Sequence, residues 1–255
     1  MQNQYLYDQS LSHCQWWMAL SAPHTITNAN IYDFFSLGLR KDNPDIEEWQ
    51  QGLQNGWGIE DRADFLVMIM RLIKGEIHGE ELMTELDLKH FASPSQWHSF
   101  IRNITDDIEL TRAQFVDILY HHCGIGGLKG WDYTRAGFLI RAGYYCEHFS
   151  QDEACYMLNL AARQAQRHYS NWQQYLKCGI LGRNFWLFNN KTRNGKLADW
   201  GYKLLNRGID YEYDTYYRDL APYQEFFRQL DWHTPLPDLT MPESLSTLLM
   251  PRRAA

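Results

Sequence analysis

Residues 130–154 read GWDYTRAGFLIRAGYYCEHFSQDEA, and this stretch indicates both the fold class and a candidate site. At about 100° per residue, one helical face collects the side chains of Trp131, Phe138, Leu139, Ala142 and Tyr145. Arg135 lies near the middle of that face, and Asp132, three residues earlier, can reach its guanidinium. The stretch therefore predicts a packed helix with a charged pair in its apolar surface.

A second segment repeats this arrangement. The helix that begins near Asn171 places Arg183 on a face shared by Trp172, Tyr175, Leu176, Gly179, Trp186 and Leu187. Because burial of an unpaired guanidinium is costly, each arginine needs a partner. One interpretation is an internal ion pair, with Asp132, Glu153 or another carboxylate cross-linking helices. The other is a cleft in which Arg135 and Arg183 bind an anion and an aromatic ring stacks on Trp131, Trp172 or Trp186.

Most segments with a clear hydrophobic period repeat at 3.6 residues, which predicts an all-α fold, a compact and irregular multi-helix bundle. Asp61 and Gly75 are the expected start and stop of a core helix containing FLVMIMRLIK. Ser150 to Glu153 and Ser170 to Gln173 match the capping box, and Thr111 is the expected start of another helix.

The domain organisation follows from where this pattern stops. Residues 1–232 are expected to form a single helical domain. Residues 233–255 contain Pro235, Pro237, Pro242 and Pro251 and are expected to form an extended or mobile tail.

Composition restricts the function classes. The formal charge of -7, from 24 basic and 31 acidic residues, argues against nucleic acid as the main partner. The sequence shows neither a secretory signal nor an apolar run long enough for a membrane span, so we expect no membrane association. The 5 cysteines form no C-x-x-C pair, which favours a reducing cytoplasm. Oligomeric state is left open.

The candidate catalytic and metal motifs are weak. The adjacent residues of His121-His122-Cys123 point in different directions on a helix, so we expect no metal site. The glycines of CGIGGLKG lack the Walker spacing, and a helix-to-helix loop is the expected structure. Since no nucleophile motif is present either, we expect no cofactor and leave catalysis open.

The segment IDYEYDTYYRDLAPY, residues 209–223, interleaves tyrosines with acids. Such a mixture offers rigid amphipathic anchors within a negative rim, which suits a basic protein partner. The candidate partner surface consists of Asp210, Tyr211, Glu212, Tyr213, Asp214, Tyr216 and Tyr217. The alternative is that the tyrosines cover the aromatic core while the acids face water.

Several motifs together resemble a bacterial family known as domain of unknown function 1266. They are Trp57-Gly58-Ile59, Trp131-Asp132-x-x-Arg135, Arg141-x-Gly143-Tyr144, Glu153-Ala154, and Ser170-x-Trp172 leading to Gly182-Arg183-x-x-Trp186. The resemblance covers roughly residues 50–190. One departure is that Gly75-Glu76-Ile77-His78-Gly79 stands where the family pattern has Gly-His-Arg. The resemblance implies a fold and core positions but no reaction.

Two function classes follow. The first is a cytoplasmic bacterial protein that acts by macromolecular binding, as an immunity or regulatory partner of a basic protein. The alternative is an enzyme or small-anion sensor with a phosphate- or carboxylate-binding cleft at Asp132, Arg135 and Arg183. A ligand-binding arginine requires an open side, whereas a structural arginine is sealed by helices.

Overall fold

The computed structural model describes residues 7–26, 34–38, 46–192, 204–205 and 221–249. These residues are helical and irregular, with no strand among them, which confirms the all-α prediction. The helices are α1 Ser12–Leu20, α2 Ala22–Ile26, α3 Ile46–Trp57, α4 Arg62–Lys74, α5 Met83–Phe91, α6 Pro94–Arg102, α7 Asp107–Cys123, α8 Lys129–Tyr145, α9 Gln151–His168, α10 Trp172–Thr192, α11 Gln224–Gln229 and α12 Glu243–Leu249.

Helix α8 is the centre of the bundle. Every residue from Gly130 to Gly143 is buried, and α4, α9 and α10 pack around this helix together with α1 and α2. A helix that is covered on all sides needs no polar face, yet α8 contains Asp132, Arg135 and Arg141. Each of these three charged side chains must therefore have ion-pair or hydrogen-bond partners inside the protein.

Two glycines allow the close packing around α8. A Cβ at Gly182 of α10 would lie 2.3 Å from the Cβ of Trp131. A Cβ at Gly143 would lie 2.3 Å from the Phe149 ring. The first glycine brings α10 against the N-terminal half of α8, and the second folds the chain after α8 back onto its end.

The helix ends agree with the sequence in part. Asp61 caps α4 by accepting from the backbone N–H groups of Ala63 and Asp64, and Gly75 ends this helix at φ 78°. The Ser150–Glu153 capping box is present.

One predicted helix start is wrong, and one predicted cap is displaced. Helix α7 begins at Asp107 with Asp106 as its cap, so Thr111 lies inside the helix. In α10 the cap is displaced by one residue, because Asn171 accepts from the Gln174 N–H and Gln174 accepts from the Ser170 N–H.

The segment after α11 makes a turn, in which the Thr234 N–H donates to the Asp231 carbonyl at 3.1 Å, and then continues without regular secondary structure to Met241 along α9. The indole of Trp232 is buried and donates to the Tyr169 carbonyl at 3.0 Å. Gln166 donates to the carbonyls of Trp232 and Thr234, and Asn159 donates to that of Pro237 at 2.9 Å. Helix α12 follows, a helix that the sequence did not predict. Its Leu245 is fully buried.

Within the part of the chain that the structure describes, every helix is too short or too polar to cross a membrane.

Candidate functional site

Asp132 is a buried acceptor for the loop that joins α4 to α5. Its Oδ2 accepts from the backbone N–H groups of Ile77 at 3.1 Å and Gly79 at 2.8 Å. Both carboxylate oxygens also lie within 3.2 Å of the backbone nitrogen of His78. Arg135 Nη2 donates to Asp132 Oδ1. Both carboxylate oxygens are therefore occupied by internal donors, and Asp132 fixes the backbone of residues 77–79.

Arg135 lies in an aromatic enclosure. Its guanidinium carbon is 5.0 Å from the Trp131 ring centre and 5.8 Å from that of Trp57, and its Nε donates to the Trp131 carbonyl at 3.2 Å. Burial lowers the pKa of Arg135, and the charges of Asp132 and Glu81 oppose that shift. Only 6% of the Arg135 surface is exposed, so the surrounding helices seal it from solvent, as expected of a structural arginine.

Arg183 differs from Arg135 in its exposure. Burial, with the charges of Arg135 and Arg183 adding to it, lowers the pKa of His24 to about 3. Arg183 itself is partly exposed, and Trp186, one turn further along α10, is 41% exposed. Of the two predicted arginines, Arg183 is the one with a side that solvent can reach.

Glu153 forms its ion pair with Arg62 of α4. Arg62 Nη2 lies 2.6 Å from Glu153 Oε1, the Ser150 N–H donates to Oε2 at 2.8 Å, and the Ser244 hydroxyl donates to Oε1. Burial favours the neutral acid, but these donors outweigh it and lower the pKa of Glu153 to about 2. The carboxylate thus connects α4, α9 and α12 instead of pairing with Arg135.

This pair predicts a loss of stability in acid. Because the pKa of Glu153 is depressed on folding, its contribution is complete above pH 4.5 and is lost as the pH falls toward 2. Since Arg62 is 32% exposed, solvent screening reduces that contribution to about 1–2 kcal/mol. In urea unfolding between pH 7 and pH 3, Glu153→Gln should lose less stability on acidification than wild type. Equal losses in the two proteins would contradict this assignment.

Trp172 lies apart from the arginines. Its ring centre is 4.6 Å from that of Trp16 and 4.8 Å from that of Trp232, and its indole donates to the Leu230 carbonyl at 2.9 Å. This tryptophan joins α10 to α1 and to Leu230 and Trp232, which follow α11. Trp131, by contrast, contacts Arg135 directly.

The predicted partner surface lies outside the described residues. This applies to all of Asp210, Tyr211, Glu212, Tyr213, Asp214, Tyr216 and Tyr217. Among the residues that are described, no group of three or more His, Cys, Asp or Glu side chains is placed to hold a metal ion.

The sequence did not single out His78 and Glu81 as a pair. Glu81 Oε1 lies 3.0 Å from His78 Nδ1, the Ile77 carbonyl lies 2.9 Å from the same nitrogen, and Asn189 donates to Glu81 Oε2 at 2.8 Å. Because both neighbours of Nδ1 are acceptors, Nδ1 carries a hydrogen in the neutral ring and Nε2 is the free acceptor. In the sequence, the signal for this pair was the spacing of three residues between His78 and Glu81.

A cleft between α3 and α4, with a volume of about 310 Å³, was also missed. Its rim contains Glu47, Gln50, Gln51, Gln54 and Glu60. Its apolar floor is Leu53, Ile59 and Phe65, with His148 beside the floor. Glu47 and Glu60 are exposed, while the three floor residues are buried. The cleft is thus lined mainly by polar and acidic side chains, and the apolar residues beneath them are almost fully covered.

Comparison with known proteins identifies relatives of unknown function. The family model described as "Protein of unknown function (DUF1266)" matches residues 52–232. "Uncharacterized protein YbeR" of Escherichia coli (strain K12) is 29% identical over 196 residues, covering 77% of this chain and 82% of its own. "Uncharacterized protein YbeU" of the same strain is 30% identical over 185 residues, covering 71% and 74% respectively. No solved structure matches. The chain therefore belongs to the DUF1266 family.

Proposed function

We propose that the protein acts in the cytoplasm by binding a basic protein, as an immunity or regulatory partner would. The observation that carries this proposal is the acidic surface that surrounds the cleft between α3 and α4. Four exposed carboxylates belong to this acidic face, namely Glu47, Glu60, Asp61 and Asp64. A surface of one sign attracts a partner of the other sign and accelerates encounter.

Among the described residues 46–65, Arg62 is the one arginine, and it does not neutralise the acidic face. The Arg62 guanidinium donates to Glu153 and to the His148 carbonyl, and its central carbon lies 5.4 Å from the centre of the Phe149 ring. Burial also lowers the pKa of His148, with the Arg62 charge adding to that effect and the Asp61 charge opposing it. The imidazole at the cleft is therefore neutral at pH 7.

The test is affinity isolation from the source cells with wild type and with a Glu47→Lys, Glu60→Lys, Asp64→Lys variant. We expect a basic protein to be recovered with wild type and lost with the variant, and calorimetry with the purified partner to show weaker binding at higher salt. A matched variant, Glu76→Lys, Glu80→Lys, Glu109→Lys, changes the charge equally outside the face and should retain the partner. Recovery of the same proteins with both variants would contradict the proposal.

The alternative, an enzyme or a small-anion sensor, has narrower support. Asp132 is fully occupied by internal donors and Arg135 is sealed. The partly exposed Arg183 beside Trp186 is the feature that favours an anion site on α10.

A further inference from the structure

Helix α9 holds the segment that follows α11 through a row of donors directed at its main chain. The row consists of Asn159, Arg163 and Gln166, whose spacing of four and three residues places them on one face of the helix. Gln166 Nε2 donates to the Thr234 carbonyl at 3.0 Å. Arg163 and Asn159 both donate to the Pro237 carbonyl, at 2.7 and 2.9 Å. The donor row therefore recognises main-chain carbonyls and not particular side chains.

The segment recognised by α9 contains several prolines. Residues 233–249, which we name the strap, read HTPLPDLTMPESLSTLL. Because proline has no N–H, such a segment pairs less of its main chain internally and presents its carbonyls to donors outside it. Docking of a proline-containing segment on a preformed face is a recurrent way for one chain to bind another. The face of α9 that carries the donor row is a groove of this kind, occupied here by the strap of the same chain.

The strap is anchored at two points and exposed between them. Thr234 and Leu245 are buried. Every side chain from residue 235 to residue 244 is exposed or half-buried. The ion pair of Asp238 with Arg163 spans 3.6 Å, but the Asp238 side chain is fully exposed, so this pair contributes little. A segment with so few buried contacts opens at a lower free energy than the helical core.

Release of the strap leaves no buried charge unpaired. Near its C-terminal anchor, the Ser244 hydroxyl donates to Glu153. When Ser244 departs, the Glu153 carboxylate keeps its ion pair with Arg62 and its hydrogen bond from the Ser150 N–H. The cost of an uncompensated buried carboxylate therefore does not oppose opening.

The strap begins at a turn that can act as its hinge. Both the N–H and the hydroxyl of Thr234 donate to the Asp231 carbonyl, at 3.1 and 2.7 Å. Trp232, inside this turn, is held separately, because its ring centre lies 5.1 Å from that of Trp16 and 4.8 Å from that of Trp172. The strap can therefore swing away while Trp232 stays in its aromatic pocket.

We propose that the α9 groove also binds the strap of a second copy of this chain, so that two molecules exchange residues 233–249 about the Asp231–Thr234 turn. The sequence seated in the groove is the chain's own, and every copy carries both parts. Exchange thus gives a symmetric pair in which both grooves are filled. A segment of this length spans up to about 55 Å when extended, which is enough to reach a neighbouring molecule. This inference is independent of the proposed basic partner.

Sedimentation equilibrium of the full chain tests the exchange. Within one chain the strap has an effective concentration of about 1 mM, so wild type should be monomeric at micromolar concentration and form dimers toward millimolar concentration. Thr234→Pro removes the N–H of the turn and stiffens the hinge, so this variant should already be a dimer at micromolar concentration. Thr240→Pro makes the same change at an exposed position of the strap and should remain monomeric.

Loss of the donor row identifies the contact that holds the dimer. Asn159→Ala, Gln166→Ala, added to Thr234→Pro, should return the dimer to folded monomers, as checked by circular dichroism. A monomeric Thr234→Pro protein would overturn the proposal. A dimer that persists without the two donors would overturn it as well.

A labelled peptide gives a second measurement that does not depend on the hinge variant. The peptide contains residues 233–249 and is titrated with the full chain while fluorescence anisotropy is recorded. Leu245→Asp weakens the chain's own strap at its buried anchor, so this variant should bind the peptide at least tenfold more tightly than wild type. Thr240→Asp adds the same charge at an exposed position and should bind it as wild type does. Equal binding to wild type and to Leu245→Asp would contradict the proposal.

Discussion

Replacement of Asp132 by Asn is expected to lower the free energy of unfolding by about 3–5 kcal/mol. The carboxylate is fully buried, and its removal leaves Arg135 as an uncompensated charge in the aromatic enclosure of Trp57 and Trp131. The amide also has one acceptor oxygen for the three backbone N–H groups of residues 77–79 that Asp132 now accepts. Both effects act on the loop between α4 and α5.

Urea unfolding followed by circular dichroism measures this change. Asp87→Asn makes the same substitution at an exposed position of α5 and should alter stability by less than about 0.5 kcal/mol. Hydrogen exchange should also show faster exchange at Ile77, His78 and Gly79 in the Asp132 variant. If Asp132→Asn were as stable as Asp87→Asn, the assignment of Asp132 as the anchor of this loop would be wrong.

Replacement of Arg141 by Met is expected to cost about 3 kcal/mol. Arg141 is fully buried, and its Nη1 donates to the Ser21 hydroxyl at 2.8 Å. Its Nη2 donates to the carbonyls of Ser36 at 2.6 Å and Phe34 at 3.3 Å. Methionine preserves the aliphatic volume but leaves these acceptors without that donor, so α8 loses its hydrogen bonds to residues 34–36.

The control for Arg141→Met is Arg102→Met, which removes an arginine from an exposed position near the end of α6. Thermal unfolding of both variants, with circular dichroism at pH 7, gives the comparison. Arg102→Met should melt within about 2 °C of wild type, and Arg141→Met should melt several degrees lower. Equal melting temperatures for the two variants would contradict a structural role for Arg141.

The 3.6-residue period predicted the all-α fold, although not α12, and the three-residue spacing placed Asp132 within reach of Arg135. The contacts of Asp132 with residues 77–79 lie 53 to 55 positions away in the sequence, so they depend on how the end of α4 packs beside α8. On a helical wheel of α8, Arg141 points away from the aromatic face. Because α8 is covered on all sides, that opposite face is buried as well.

The site predicted from the sequence included too long a stretch of α10. Trp172 and Trp186 share a helical face, but they are 14 residues apart, which is about 21 Å along a helix axis. Trp172 accordingly packs with Trp16 and Trp232, while Trp186 is exposed beside Arg183. A periodic pattern reports which face of a helix is apolar but not which neighbour covers each turn.

The acidic cleft was missed for a different reason. Glu47 and Glu60 lie on different elements, and Gly58, at φ 66°, ends α3 in the left-handed conformation before the chain enters α4. The density of acids between Glu47 and Asp64 was the available sequence signal. It does not show by itself that an apolar floor lies between these acids, because Leu53, Ile59 and Phe65 come together only on folding.

The most direct measurement is the melting temperature of wild type and of Arg135→Met in a panel of anions. The panel contains phosphate, acetate and a nucleotide, with sodium chloride at the same ionic strength as the control. A ligand that binds the native state at about ten times its Kd adds roughly 1.4 kcal/mol of stability, which raises the melting temperature by a few degrees. We predict that none of these anions raises the melting temperature of wild type and that Arg135→Met is strongly destabilised. An anion shift in wild type that is absent from a folded Arg135→Met would contradict the proposal and indicate an anion site at the arginines.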